Sequence, residues 1–371
     1  MNIDKIIIRR ASLDLITPFT TSFSTQSNRD FLIVEAHSGD LIGYGECGAF
    51  AFPYYSEEYT PGCQLVLKDH LVPLLVGTEV SHPAEVRTTL APLKRNNMAK
   101  AAVEGAIWDL WAKHEGTSLA AAIGGTKPSV EVGLSVGIKG SEYELVEFVS
   151  QAVDEGFARI KIKIKPGTDL SYLRAVRKEH PDVPLMADAN SAYTLDDVEH
   201  LRLFDDLNLM MIEQPLAHDD IVDHRHLQKI LRTPICLDES IHSLGDARKA
   251  IELGSCRIIN IKIGRVGGIS EAKDIEDLCR REGIDVWCGG MLESGIGRAH
   301  NLAIASLPGF TLPGDTAPSA RYWDRDVIIP EVTMDRGSVQ VPAGPGIGFD
   351  IDTEQLEAIT TDISEFEATG Q

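Results

Sequence analysis

Three short apolar runs in the middle of the chain each stop at a carboxylate: Val183-Pro-Leu-Met-Ala-Asp188, Leu209-Met-Met-Ile-Glu213 and Thr233-Pro-Ile-Cys-Leu-Asp238. The acids recur at an interval of 25 residues, and 24 residues further on Arg257-Ile-Ile-Asn-Ile-Lys262 ends in a lysine. Such an interval holds one loop, one helix, a second loop and the next strand of a parallel series, whereas a hairpin would need far less chain. Parallel strands are buried on both faces, so the runs are apolar throughout and their charged ends mark one rim. This restricts the chain to an α/β fold with its chemistry at the C-terminal ends of the strands.

The run just upstream, Arg159-Ile-Lys-Ile-Lys-Ile164, belongs to the same series. Side chains alternate along a strand, so the isoleucines take one face and Lys161 and Lys163 the other. Alone, this is the pattern of a solvated edge strand guarded by charge. Pro166-Gly167 ends the strand just past the lysines and sets them beside the acids.

Eight strands are expected, over 130–138, 159–164, 183–188, 209–213, 234–238, 257–262, 284–288 and 310–312. Helices separate most of them. Ser141 and Glu144 form a capping box before one and Gly156 follows its end, while Thr194, Ser243 and Ser270 are expected N-caps of others. Eight parallel strands alternating with helices imply a closed barrel. An open dinucleotide-binding sheet lacks its fingerprint, because Gly264-Arg-Val-Gly-Gly268 has the wrong glycine spacing.

The first 125 or so residues break this rhythm. Alternation over 5–15, 31–36 and 41–46, with Gly39-Asp40 as a turn, predicts a small antiparallel sheet, and apolar spacing predicts a helix over 98–113. Two loops, 17–23 with two phenylalanines and 50–55 with the aromatics Phe50, Phe52, Tyr54 and Tyr55, have the surface a lid needs to exclude water. The tail around Pro345-Gly-Ile-Gly348 is expected to return to this region. The expected organisation is an N-terminal α+β capping domain over 1–127, a barrel over 128–322 and a C-terminal segment over 323–371.

In a ring of eight, strands two and six are opposite, so Lys163 and Lys262 face each other across the mouth. Asp188, Glu213 and Asp238 fill the arc between them. Each acid taken singly reads as a cap or a surface ion pair. Three in register cannot all stay ionised without a cation, and hard oxygen ligands suit magnesium. A divalent ion on a substrate carboxylate stabilises the enediolate left when the adjacent α-proton departs. The base must be a neutral lysine, a form that Lys161, Arg265 and the metal are expected to favour through their positive charge. Bases on both faces of the carbon allow racemisation, while one base opposite a cation suffices for β-elimination. Both remain open at this level, as does an inactive barrel serving as a metal-dependent binding protein.

Charge narrows the partners. A net charge of −21, from 35 basic and 56 acidic residues, repels nucleic acid and anionic membrane, so an anionic substrate must be captured by local cations or a metal. Six cysteines without a Cys-x-x-Cys pair, no apolar N-terminal signal and no long apolar run lead to the expectation of reduced thiols in the cytoplasm. His224 and His226 diverge on a helix and are expected to be surface histidines, not zinc ligands.

Lys161-x-Lys163, Asp188-Ala-Asn190, Glu213-Gln-Pro215, Asp238-Glu-Ser240 and Lys262 with Gly264-Arg-Val-Gly-Gly268 resemble the muconate-lactonising branch of the enolase superfamily, over nearly the whole chain. Within it the chain is most similar to the o-succinylbenzoate synthase and N-succinylamino acid racemase group. The resemblance implies a modified TIM barrel, (β/α)7β, with an α+β capping domain. It implies magnesium, with manganese as the alternative, on Asp188, Glu213 and Asp238. Lys163 is then the proton-abstracting base, Lys262 the second base or cationic stabiliser, and Lys161 their catalytic neighbour. Asn190, Phe19, Ser135, Arg265, Glu293 and Ser294 are expected to bind substrate. The implied reaction is syn-dehydration of 2-succinyl-6-hydroxy-2,4-cyclohexadiene-1-carboxylate on the way to menaquinone, or racemisation of N-succinylamino acids, in a homo-oligomer. Related dipeptide epimerases carry Asp-x-Asp after strand eight. Asp315-Thr-Ala317 departs from that pattern and counts against their activity.

Overall fold

The computed structural model describes residues 1–22 and 24–368. Strands Lys5–Thr20, Thr25–Ser38 and Leu41–Cys47 form an antiparallel sheet, and the strand Thr360–Glu367 joins its edge beside the first. The tail therefore returns to the N-terminal sheet, with Lys5 opposite Glu367. Ile347 also donates its N–H to Asp109, 2.7 Å away. The helix Asn97–His114 lies directly on the third strand, because Gly43 and Gly45 have no side chain to hold it off. A Cβ on Gly43 would meet the Ala106 carbonyl oxygen at 2.1 Å, and one on Gly45 the Ala102 carbonyl oxygen at 2.0 Å. This helix is buried nearly all round and spans 97–114, one residue more at each end than apolar spacing predicts.

The barrel sheet holds seven parallel strands in sequential order: Gly133–Val136, Arg159–Lys163, Leu185–Asp188, Ile212–Glu213, Ile235–Leu237, Ile258–Ile261 and Asp285–Cys288. Two expectations need correction. The run 130–138 is not one strand: Ser129–Glu131 pairs outside the barrel with Ser338–Gln340, and only Gly133–Val136 enters it. The eighth run is not a regular strand either, yet it closes the ring. Phe310 bridges Val286 of strand seven, Gly314 bridges Val132 next to strand one, and Gly133 donates to the Gly314 carbonyl at 2.8 Å. Pro308 and Pro313 in this stretch cannot donate to a ladder, which limits regular pairing.

Most helix signals hold. Ser141, Thr194 and Ser243 cap their helices, with Thr194 and Asp197 forming a reciprocal box. The Glu144 carboxylate accepts from Gly140 instead of Ser141. Ser270 is not a cap: Gly268 takes that position at φ 137, and the Ser270 hydroxyl accepts from Trp108 instead. His224 is fully buried, not a surface residue, and binds Asp220 and the Leu216 N–H. Among the described residues no helix is long and apolar enough to cross a membrane.

Candidate active site

Strand pairing sets the site. Lys163 is in register with Asp188, and Asp188 with Glu213, so these three side chains share one level of the barrel. Glu213 pairs with Cys236, which leaves Asp238 one pleat higher on the same face. Below them Met186, Met211, Cys236, Ile258 and Trp287 fill the barrel with a dry floor, and Lys161 sits 4.7 Å above the Trp287 ring. The isoleucines of strand two pack outward into the helix layer, as their spacing requires.

Lys163 Nζ donates to Asp188 Oδ2 at 2.6 Å and to Asn190 Oδ1 at 2.8 Å. Lys161 lies 2.7 Å from Asp315, 3.3 Å from Glu213 and 3.4 Å from Asp188. Opposite, Lys262 donates to Asp238 Oδ2 at 2.8 Å and to the Tyr55 hydroxyl at 3.0 Å. Arg265 is also bonded to Asp238 and gives its other donors to the Ile241 and Asn260 carbonyls.

Carboxylates set the charge environment of Lys161 and Lys262. Burial alone would push Lys161 towards neutrality, but Asp315, Glu213 and Asp188 outweigh it and raise its pKa. Lys262 is raised in the same way, against burial, by Tyr55, Glu213 and Glu239. Three carboxylates stand within 3.4 Å of Lys161, whereas Lys262 has one at contact distance, Asp238, which it shares with Arg265. Burial would raise Asp188, yet Lys163 and Lys161 hold it below the usual carboxylate range. Burial and the Asp188 charge push Glu213 up, and burial and Asp188 push Glu239 up to about 7.

A cavity beneath the capping sheet is lined by Lys161, Lys163, Lys262, Asn190, Phe19, Ser135 and Glu293 among the residues expected from sequence. Ser294 does not line it: its hydroxyl is bound to Glu46 and caps the helix Gly295–Ala305. Arg265 does not line it either, being buried behind Lys262 on Asp238. The loop 50–55 divides, with Phe50 and Tyr55 on the cavity and Phe52 and Tyr54 stacked outward at 5.7 Å. Residues 17–20, expected in a loop, instead continue the first strand, with Thr20 paired to Thr25; Thr21 and Ser24 in the turn beyond it line the cavity, while Phe23 lies outside the described residues. Sequence reasoning missed Tyr55 as a partner of Lys262, Asn260 as a donor to Glu213 at 2.7 Å, Asp315 as the partner of Lys161, and Arg298 on the wall. Tyr55, Asn260 and Asp315 lie in stretches whose signal points to other features, and Arg298 lies in none of them.

The donor chemistry fits a divalent cation. Asp188 Oδ2 and Glu213 Oε2 both face Lys161, at 3.4 and 3.3 Å, and Glu213 Oε2 is buried with that ion pair and no hydrogen bond. Such crowding of oxygens in a dry site favours a hard metal ion. Asp238, however, is turned to Tyr55, Lys262 and Arg265, so among the described residues no three ligating side chains converge as a preformed metal cage.

A parallel barrel with lysines and acids on its C-terminal rim, under an α+β cap, defines an enolase-type enzyme. Residues 4–124 match the mandelate racemase/muconate lactonizing enzyme N-terminal domain and residues 144–356 the enolase C-terminal domain-like family. An o-succinylbenzoate synthase of Geobacillus kaustophilus is 55% identical over 361 residues, 97% of this chain and 96% of that one. An N-succinylamino acid racemase of Amycolatopsis is 45% identical, covering 97% of this chain and 98% of the other. The crystal structure of an enolase-superfamily protein from Listeria innocua superposes over 100% of both chains with a TM-score of 0.97 at 43% identity. The chain belongs to the enolase superfamily, in its o-succinylbenzoate synthase and N-succinylamino acid racemase family. Enzymes of this kind generally depend on a divalent metal.

Proposed function

We propose that the protein is an o-succinylbenzoate synthase, which dehydrates 2-succinyl-6-hydroxy-2,4-cyclohexadiene-1-carboxylate by lysine-mediated α-proton abstraction in menaquinone biosynthesis. One observation carries the mechanism: Lys163 and Lys262 line one cavity from strands two and six, on opposite sides of the ring.

A neutral amine has two N–H groups and one lone pair. As the base, a neutral Lys163 would keep both donations, to Asp188 and Asn190, and present its lone pair to the α-proton. Lys262 also makes two donations, to Tyr55 and Asp238, and as an ammonium keeps a third N–H for the substrate. Magnesium held by Asp188, Glu213 and Asp238 would supply the charge that stabilises the enediolate. Phe19, Phe50 and Tyr55 line the cavity, an aromatic surface of the kind that excludes water from such a site.

The second reading, N-succinylamino acid racemisation alone or beside dehydration, is favoured by the same opposed lysines, since a neutral Lys262 could exchange the proton on the other face. Both readings imply a small carboxylate substrate, a cytoplasmic homo-oligomer and a metal requirement. The test is a paired assay with magnesium, scoring dehydration and racemisation of a panel of N-succinylamino acids. Efficient dehydration with weak racemisation supports the synthase, the reverse supports the racemase, and inactivity on both refutes the proposal. Excess chelator should abolish activity and added magnesium restore it; full activity in chelator would refute the metal role.

A further inference from the structure

Four cationic side chains line the cavity: Lys161, Lys163, Lys262 and Arg298. The three lysines each have a carboxylate within 2.8 Å: Asp315, Asp188 and Asp238 respectively. Arg298 differs. It is buried, 3% exposed, and gives its terminal nitrogens only to main-chain carbonyls, those of Ala317 and Glu293. Its Nε is buried with no hydrogen-bond partner, and the guanidinium rests 4.8 Å from the centre of the Tyr322 ring. Among the described residues no Asp or Glu forms an ion pair with it.

The nearby acids are engaged elsewhere. Glu46 accepts from the Ser294 and Gly297 N–H groups and Asp326 from Gly295, all at the start of the helix that carries Arg298. Glu293 accepts from the Met291 N–H, and Asp315 is held between Arg159 and Lys161. A buried guanidinium without an anion is costly, and a planar fork of donors suits a carboxylate. In the functional reading above, a metal ion on Asp188, Glu213 and Asp238 would take one carboxylate of the substrate.

We propose that Arg298 receives the second, distal carboxylate of a dicarboxylate substrate, and so determines specificity for a succinyl arm over an uncharged acyl arm of equal length. This rests on the functional reading above and deepens it. The substrate lies between two anion-binding ends, its reacting carbon near Lys163 and Lys262 and its arm reaching the wall made by Arg298 and Tyr322.

The experiment compares N-succinyl- and N-butyryl-phenylalanine, in which a methyl group replaces the distal carboxylate, by α-proton exchange in deuterated water. Wild type should prefer the succinyl compound in kcat/KM by about tenfold to a hundredfold, the usual worth of a charged hydrogen bond. In Arg298→Met the preference should collapse towards unity through a raised KM for the succinyl compound, and Arg298→Lys should restore part of it. If Arg298→Met does not fold, Arg298→Gln, which keeps a donor for one carbonyl, is read by the same ratio. An unchanged preference, with both compounds falling together, would make Arg298 a brace for the two carbonyls and overturn the proposal alone. Wild-type inactivity on both compounds and on the cyclohexadiene would overturn the functional reading and this proposal with it.

Discussion

The Tyr55 hydroxyl lies 3.0 Å from Lys262 Nζ, joining the aromatic loop of the cap to the sixth barrel strand across 207 residues of chain. The Tyr55 ring also stands 4.5 Å from the same nitrogen, and its hydroxyl reaches both oxygens of Asp238 at 3.2 Å. The loop is therefore part of the charge environment of a catalytic lysine as well as a cover. Tyr55→Phe keeps the ring and removes the hydroxyl. It should lower α-proton exchange on the Lys262 face by about tenfold, with a smaller effect on the Lys163 face. Stereochemically resolved exchange rates check this, and equal losses on both faces would contradict it.

Lys163→Ala should abolish exchange from one face of the substrate carbon, and Lys262→Ala should affect the opposite face. Each variant should melt within a few degrees of wild type, because Lys161 still pairs Asp188 and Arg265 still pairs Asp238. Undiminished exchange of both stereoisomers in Lys163→Ala would end its assignment as the base.

Asp315 is shared by Arg159 at 2.9 Å and Lys161 at 2.7 Å, all three nearly buried. Asp315→Asn leaves two buried cations short of an anion and should cost about 3 kcal/mol of unfolding free energy. Urea unfolding measures it, and a loss below about 1 kcal/mol would mean that the neighbouring carboxylates compensate.

Glu104 is fully buried against the start of the helix Ile269–Glu282, and burial lifts its pKa from 4.5 to about 7. The folded state therefore holds a proton that the unfolded state has already released between those values. Its contribution to stability is fully present below pH 4.5 and is lost as pH rises through about 7. Glu104→Gln, which stays neutral, should match wild type at low pH and exceed it above pH 7 by on the order of 3 kcal/mol at most. Unfolding at pH 5 and pH 8 checks the sign, and the opposite order would refute it.

Much of the site was legible because local chemistry and strand period coincide. Lys161, Lys163, Asp188, Glu213, Asp238 and Lys262 sit at the ends of apolar runs, and parallel pairing carries such ends to one rim whatever the loops between them do. The N-terminal sheet and its helix were legible from alternation and apolar spacing. The eighth run was misread because its apolar residues look like a strand, while its prolines and the closing geometry leave only isolated bridges. Ser294 and Arg265 lie close in sequence to cavity residues, but one caps a helix and the other is committed to Asp238.

The sequence by itself determined the barrel, its strand order and which residues reach the rim, because these follow from a repeating period and from the alternation of side chains along each strand. Only the tertiary structure decided how the charges are shared: Asp238 with Lys262, Arg265 and Tyr55, Lys161 with Asp315, and Arg298 with no carboxylate among the described residues. The physical reason is that a Coulomb interaction depends on distance through space and on burial, and residues separated by 154 to 207 positions, such as Asp315 and Lys161 or Tyr55 and Lys262, acquire both only when the ring closes and the cap settles on it.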